Sequence, residues 1–253
     1  IDKFWRTALI YGNKVKWHSI LLDMPKTNDL ELSMAKAVSY KEMNELHLAE
    51  TILLELVNLS GLKGEFSIQA EAILELVKIC RLKNHYKQSI DYMDILNSSL
   101  KHHLESRQYN ALIMEQAQLA LDMNQIKYAI ALVTSLNLPE SLMIKAEALY
   151  RLDHHKSCIE ICYSLLSEFQ LSDTAKGIVH NLIGRCYQVI DHALATEQFD
   201  LAIEYFSKTF NLRHLSHAQI NLATAFIYLE QLDKAIEMLN SAQEICQIMA
   251  DQI

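Results

Sequence analysis

The spacing closest to a metal site is His154, Cys158 and Cys162, four residues apart along one helical face with His155 beside them. Thiolate and imidazole suit tetrahedral zinc. Such sites, however, take C-x₂₋₄-C pairs from turns, and here both cysteines fall at the apolar positions of an amphipathic helix. They read as core, and no metal is expected. His102-His103 lies in the polar stretch KHHLESRQ, with no cysteine nearby and no Ser/Asp pair to complete a triad, so it reads as a solvated face. Glu71 with Glu75, and Glu50 with Glu55, could do acid–base work if burial raised one carboxyl. Nothing around them promises burial, and they are expected on exposed faces. Trp5 and Trp17 could stack a ligand, but twelve residues apart on a helical pattern they read as packing against a preceding repeat.

No GxGxxG, GxxxxGK[ST], GxSxG or HExxH occurs, and 5 glycines could hardly build a phosphate-cradling loop. The expectation is a protein without catalytic residues and without a cofactor. The 23 basic and 31 acidic residues give a formal charge of −8, and no segment gathers Lys and Arg into a phosphate-binding face, which argues against direct contact with nucleic acid. Five scattered cysteines in apolar helical pattern fit a reduced, intracellular compartment, nuclear or cytoplasmic. No run reaches the ~18 apolar residues of a membrane span, and the first residues lack a signal-peptide layout. The opening Ile1-Asp2-Lys3-Phe4 leads us to expect a piece of a larger protein.

Half the residues are apolar, yet there are only 5 glycines and 2 prolines, so turns and hairpin strands are scarce and helices dominate. The clearest stretch, AQINLATAFIYLEQLDKAIEMLNSAQEI, reads as two amphipathic helices joined by a polar turn at Glu230-Gln231. Leu222, Ala223 and Phe226 share a face of the first; Leu232, Ala235, Ile236, Leu239 and Ala242 share one of the second. Two helices approach closely only where a small residue faces the partner, and Ala223 and Ala235 are those residues. Weaker copies are anchored on Ala49, Ser89, Ala129, Cys158 and Ala202, giving anchor spacings of 40, 40, 29, 44 and 33. The 44-residue step is expected to hold an insertion, with a loop around 190–198 delaying the second helix. Pro139 is expected just past a helix, and the last helix is expected to cap the stack.

This large–small–aromatic pattern resembles the tetratricopeptide repeat. The resemblance implies an all-α, right-handed α–α superhelix of about six helical hairpins. We expect one solenoid domain over 1–253, with 1–25 the end of a preceding helical pair and 26–253 the repeats. In such a solenoid the first helix of each hairpin lines the inner face. Its unpacked positions there are Glu147, Tyr150 and Arg151, then Asn181, Arg185 and Gln188, then Asn221, Thr224 and Tyr228. Arg, Asn, Gln and Tyr can hydrogen-bond an extended peptide, where a merely solvated face would carry Lys and Glu. Chaperone-binding members of the family hold a C-terminal carboxylate with Lys and Asn; the matching slots here are Met143 and Glu147, which speaks against a chaperone adaptor.

The order of FWRTALIYGNKVKW, LALDMNQIKYAIALVTSL, KAEALYRLDHHKSCIEICYSLL and HAQINLATAFIYLEQLDKAIEMLN resembles the C-terminal repeat region of the anaphase-promoting complex subunit 5 family. That resemblance implies a non-catalytic platform in a cell-cycle E3 ubiquitin ligase, docked against its large scaffold subunits. Three alternatives stand beside it. One is a peptide-binding regulatory receptor, although the segment before Pro25 is too short for the helix-turn-helix that such receptors carry. The second is the helical solenoid of a large kinase, and the third is a free-standing enzyme on a helical scaffold.

Overall fold

The computed structural model describes residues 29–43, 45–209 and 211–250. The helix expected over 1–25, with Trp5 and Trp17, lies outside the described residues. Among the described residues twelve α-helices follow one another: α1 Leu30–Glu42, α2 Leu46–Lys63, α3 Phe66–Leu82, α4 Tyr86–Ser98, α5 Ser106–Asp122, α6 Ile126–Val133, α7 Pro139–Arg151, α8 His155–Glu168, α9 Asp173–Ile190, α10 His192–Lys208, α11 Leu212–Tyr228 and α12 Leu232–Ala250. Among the described residues there is no strand, and one 3₁₀ turn, Lys101–His103, sits between α4 and α5. The fold is all-α, built of consecutive helical hairpins.

Local chemistry sets the ends of these helices. Asp29, Ser172, Asp191 and Asn211 accept hydrogen bonds from first-turn amides of α1, α9, α10 and α11. Pro139 opens α7 at a position where no amide donor is needed, so it starts a helix rather than closing the preceding one. Among the described residues, Gly64 (φ 72°) and four non-glycine residues, Asn84 (φ 59°), Asn124 (60°), Asp153 (60°) and Glu230 (59°), take the left-handed region at turns. Asn and Asp tolerate that conformation because their short polar side chains bond locally. Four of these five turns therefore reverse the chain without glycine.

The chain divides into two compact units, 1–123 and 124–253, parted at the turn between α5 and α6. In the first, α1 packs on α2, α2 on α3 and α3 on α4, with α5 lying on α3 and α4. Its core runs from Leu30, Met34 and Leu53 through Leu76 and Ile79 to Leu96, Leu112 and Leu119. In the second, α6 to α12 pack each on the next. One cluster there joins Cys158, Cys162, Leu165, Val179, Ile183 and Cys186; others surround Phe199 and Phe206.

All six anchors are buried: Ala49, Ser89, Ala129, Cys158 and Ala202 at 0 % exposure, Ala235 at 2 %. The expected insertion is absent. Residues 192–198 are the first two turns of α10, and only Asp191 separates it from α9. Five anchors are the fourth residue of their helix, and in α10 the fourth residue is Ala195, also fully buried. Ala202 lies two turns further along the same face, since seven residues nearly complete two turns. The repeat therefore counts from Ala195, which evens the last spacings to 37 and 40.

Two glycines admit the largest core residues. A Cβ on Gly184 would lie 2.6 Å from the Phe199 ring, and one on Gly177 would lie 2.7 Å from Phe206. Both rings are fully buried, each a gain of roughly 2–3 kcal/mol in hydrophobic burial. On α12, Ala235 and Ala242 are buried, but Leu232 (58 %), Ile236 (57 %) and Leu239 (43 %) are exposed. The expected cap thus presents an apolar outer side, where a capping helix would present a polar one.

Candidate functional site

Contacts run directly from α7 to α9 and from α9 to α11, and none of that extent joins α8 to α10 or α10 to α12. The first helices of the hairpins are the crowded, inner layer of the second unit, and their side chains meet across it. Glu147 of α7 is the first junction. Its carboxylate accepts from Arg151 Nε at 3.0 Å and from Arg185 Nη1 of α9 at 2.9 Å. The Arg185 guanidinium also lies over the Tyr150 ring, 4.0 Å from its centre. Burial would lower the pKa of Arg185, but the Glu147 carboxylate outweighs it and the net direction is upward.

The second junction joins α9 to α11. Asn221 Nδ2 donates to Asn181 Oδ1 at 3.0 Å, and Gln188 Nε2 donates to the Asn221 carbonyl at 2.9 Å. Between the junctions lies a cavity of about 290 Å³ lined by Asn181, Arg185, His217, Ile220 and Asn221. Of the nine residues expected on this face, Glu147, Tyr150, Arg151, Asn181, Arg185, Gln188 and Asn221 are brought together. Thr224 turns back to the Ile220 carbonyl at 2.9 Å, and Tyr228 stacks on His192 of α10 with ring centres 4.5 Å apart. Sequence reasoning missed His217 and Ile220. Their signal was position: His217 is four residues before Asn221 on the same helix, and Ile220 is three after His217.

In the first unit the corresponding side chains close on each other as ion pairs. Glu75, expected on an exposed face, is buried at 8 % exposure and holds Lys41 Nζ at 2.5 Å and Lys78 Nζ at 2.6 Å. Burial alone would raise its carboxyl; the ammonium groups of Lys78 and Lys41 more than offset that and hold it at about 2. The reason for the correction is that α3 is buried around most of its circumference, Ala72 to Val77 without a break. Glu50, of the other pair, is bound to Lys83 at 2.6 Å, and Arg81 spans Glu115 and Asp122 at 3.3 and 3.0 Å. All four of these carboxylates are engaged in ion pairs.

The thiols of Cys158 and Cys162 are fully buried and are joined by Cys186. Donation to Cys158 and burial together push the thiols of Cys162 and Cys186 up, away from the thiolate that a ligand or nucleophile requires. His154 caps α8 outside the helix proper, and among the described residues no three His, Cys, Asp or Glu side chains are placed to hold a metal ion. His103 stacks on Phe66, ring centres 4.3 Å apart. Among the described residues no helix is long and apolar enough to cross a membrane.

Comparison with models of protein families finds no match, and neither does comparison with curated protein sequences. Solved structures do match. The APC/C hetero-tetramer Cut9-Hcn1 aligns over 98 % of this chain and 47 % of its own, with TM-score 0.71 and 11 % identity. A Rap protein complexed with competence and sporulation factor aligns over 98 % and 76 %, with TM-score 0.68 and 15 % identity. A signal transduction ATPase with a tetratricopeptide repeat sensor, from Pyrococcus horikoshii, aligns over 96 % and 39 %, with TM-score 0.60 and 14 % identity. The chain thus spans about half the length of the first of these and less of the last. At such identities the likeness speaks for the fold. The buried small anchors, the hairpin order and these neighbours together show that the chain has the tetratricopeptide-type helical solenoid fold.

Proposed function

We propose that this chain is a non-catalytic protein-interaction scaffold that holds an extended segment of a partner against α7, α9 and α11. The observation that carries the reading is the row of polar side chains, Glu147–Arg185 and Asn181–Asn221–Gln188, tied across three successive helices around an open cavity. A row fixed by its own hydrogen bonds is ordered before a ligand arrives, which lowers the entropic cost of binding. The remaining donors and acceptors of such a row suit the repeating amides of a peptide. Glu147, the carboxylate at this face, is bound to two guanidinium groups.

The finer reading is a platform subunit in a multi-subunit assembly such as the anaphase-promoting complex, with the large scaffold subunits of that ubiquitin ligase as partners in the nucleus or cytoplasm. It is supported by the resemblance to the subunit 5 family and by fold likeness to Cut9-Hcn1. A regulatory peptide receptor is the second reading, favoured by the likeness to the Rap protein, of which the chain covers 76 %. Affinity purification of the tagged protein from its own cells, with mass spectrometry, separates them. Stoichiometric recovery of ubiquitin-ligase subunits supports the platform, and a short peptide alone supports the receptor. Recovery that is unchanged when Asn181, Gln188 and Asn221 are all replaced by alanine would overturn the binding face itself.

A further inference from the structure

The charge of the second unit is divided by layer. Helices α7, α9 and α11 carry Lys145, Arg151, Lys176, Arg185 and Arg213 against Glu140, Glu147 and Asp173, a balance of +2. Helices α8, α10 and α12 carry Lys156, Lys208 and Lys234 against eight acids, a balance of −5. In a chain of formal charge −8, the inner layer is positive and the outer layer carries the acid. Helix α11 contains no Asp or Glu, and His180, His214 and His217 all lie on inner-layer helices.

The cavity sits where this matters most. Glu147 receives two guanidinium groups, Arg151 and Arg185, so one negative charge faces two positive ones. Arg185 lines the cavity and engages Glu147 through one nitrogen, Nη1, and Tyr150 through its ring, while a guanidinium has five N–H donors. Asn181 accepts from Asn221 and keeps its own NH₂ as a further donor at the same wall. His217 lines the cavity from α11. Donors converge here, and the one nearby carboxylate is already doubly engaged.

Resting on the proposed binding face, we infer that the cavity is a subsite for a carboxylate of the partner segment, an Asp or Glu side chain held by Arg185 and Asn181, and that the scaffold selects acidic peptides. A carboxylate and a guanidinium make the stronger, charge-assisted class of hydrogen bond, and partial burial of Arg185 shields the pair from salt. The outer helices, being acidic, repel the same segment and so favour the inner face.

The test is panning of a random twelve-residue displayed peptide library on the immobilised full chain, followed by solution titration of the selected peptides and of the same peptides with Asp and Glu changed to Asn and Gln. We expect enrichment of Asp and Glu and about tenfold weaker binding of the amide versions. Asn181→Asp keeps the shape of the side chain and adds a repelling charge, and should lose the acidic binders; Arg185→Gln should weaken them about tenfold, and Lys208→Gln on the outer helix should not. Binders without acidic enrichment, or acidic binders indifferent to both cavity substitutions, overturn the subsite and leave the binding face standing. Recovery of no binder at all overturns both.

Discussion

Asn221 of α11 donates its side-chain amide to Asn181 of α9, forty residues earlier, at 3.0 Å. The same side chain type at the same place on successive first helices turns two surface residues into one tie between repeats. Because the bond is half-buried and neutral, its net worth is about 1 kcal/mol. Asn221→Ala should therefore lower stability by only ~1 kcal/mol in urea unfolding, while removing a much larger share of peptide affinity. A loss of stability with binding intact would assign the pair to structure alone.

Gly184 and Gly177 are the places where α9 gives way to Phe199 and Phe206. Ala at either position brings a Cβ within 3 Å of a fully buried ring. Each substitution should destabilise by ~1–3 kcal/mol, read as a lower urea midpoint at unchanged slope. Ala235→Leu, in the anchor of the last hairpin, should cost a similar amount; an unchanged melting temperature would show that the register there is wrong.

Glu230 holds a left-handed conformation at φ 59° that suits Asn or Gly far better than a longer side chain. Glu230→Asn should raise stability by ~0.5–1 kcal/mol, and Asn84→Ala should lower it by a similar amount. Thermal unfolding of the two variants, run in parallel, decides whether these turns obey one rule.

Glu75 ties its unit to acid sensitivity. Its carboxyl lies at about 2 in the folded chain against an ordinary 4.5, so its contribution is fully present above pH 4.5 and is lost as the pH falls toward 2. The shift corresponds to at most ~3 kcal/mol. Stability of the native chain and of Glu75→Gln, measured from pH 6 downward, should converge across that window; a constant gap would mean the ion pairs contribute nothing that titrates.

Among the cysteines, Cys246 is exposed and Cys80, Cys158, Cys162 and Cys186 are buried. A thiol reagent should label one site at once and four at the rate of unfolding. Rapid labelling of Cys158 would contradict the packing of its cluster.

The small anchors were legible because close helix approach admits few residue types, so Ala49, Ala129, Cys158 and Ala235 announce themselves from sequence alone. Ala202 misled because α10 repeats its small residue after seven positions, and period alone cannot tell Ala195 from Ala202. The fate of Glu75 was hidden for another reason: local pattern shows which way a side chain points, not that Lys41, thirty-four residues away, will arrive to meet it. The face around Arg185 was legible as a set of exposed positions, whereas the cavity required knowing how far apart α9 and α11 stand.

Asp191 closes α9 through its amide, bonded to the Tyr187 carbonyl, and opens α10 through its side chain, bonded to the amides of Ala193 and Leu194. A hinge works by letting several backbone angles change at little cost, and this corner offers one residue already committed at both ends. The helix that carries Asn181 and Arg185 and the helix that bears the acidic outer surface therefore turn as a single lever, with no slack at the fulcrum.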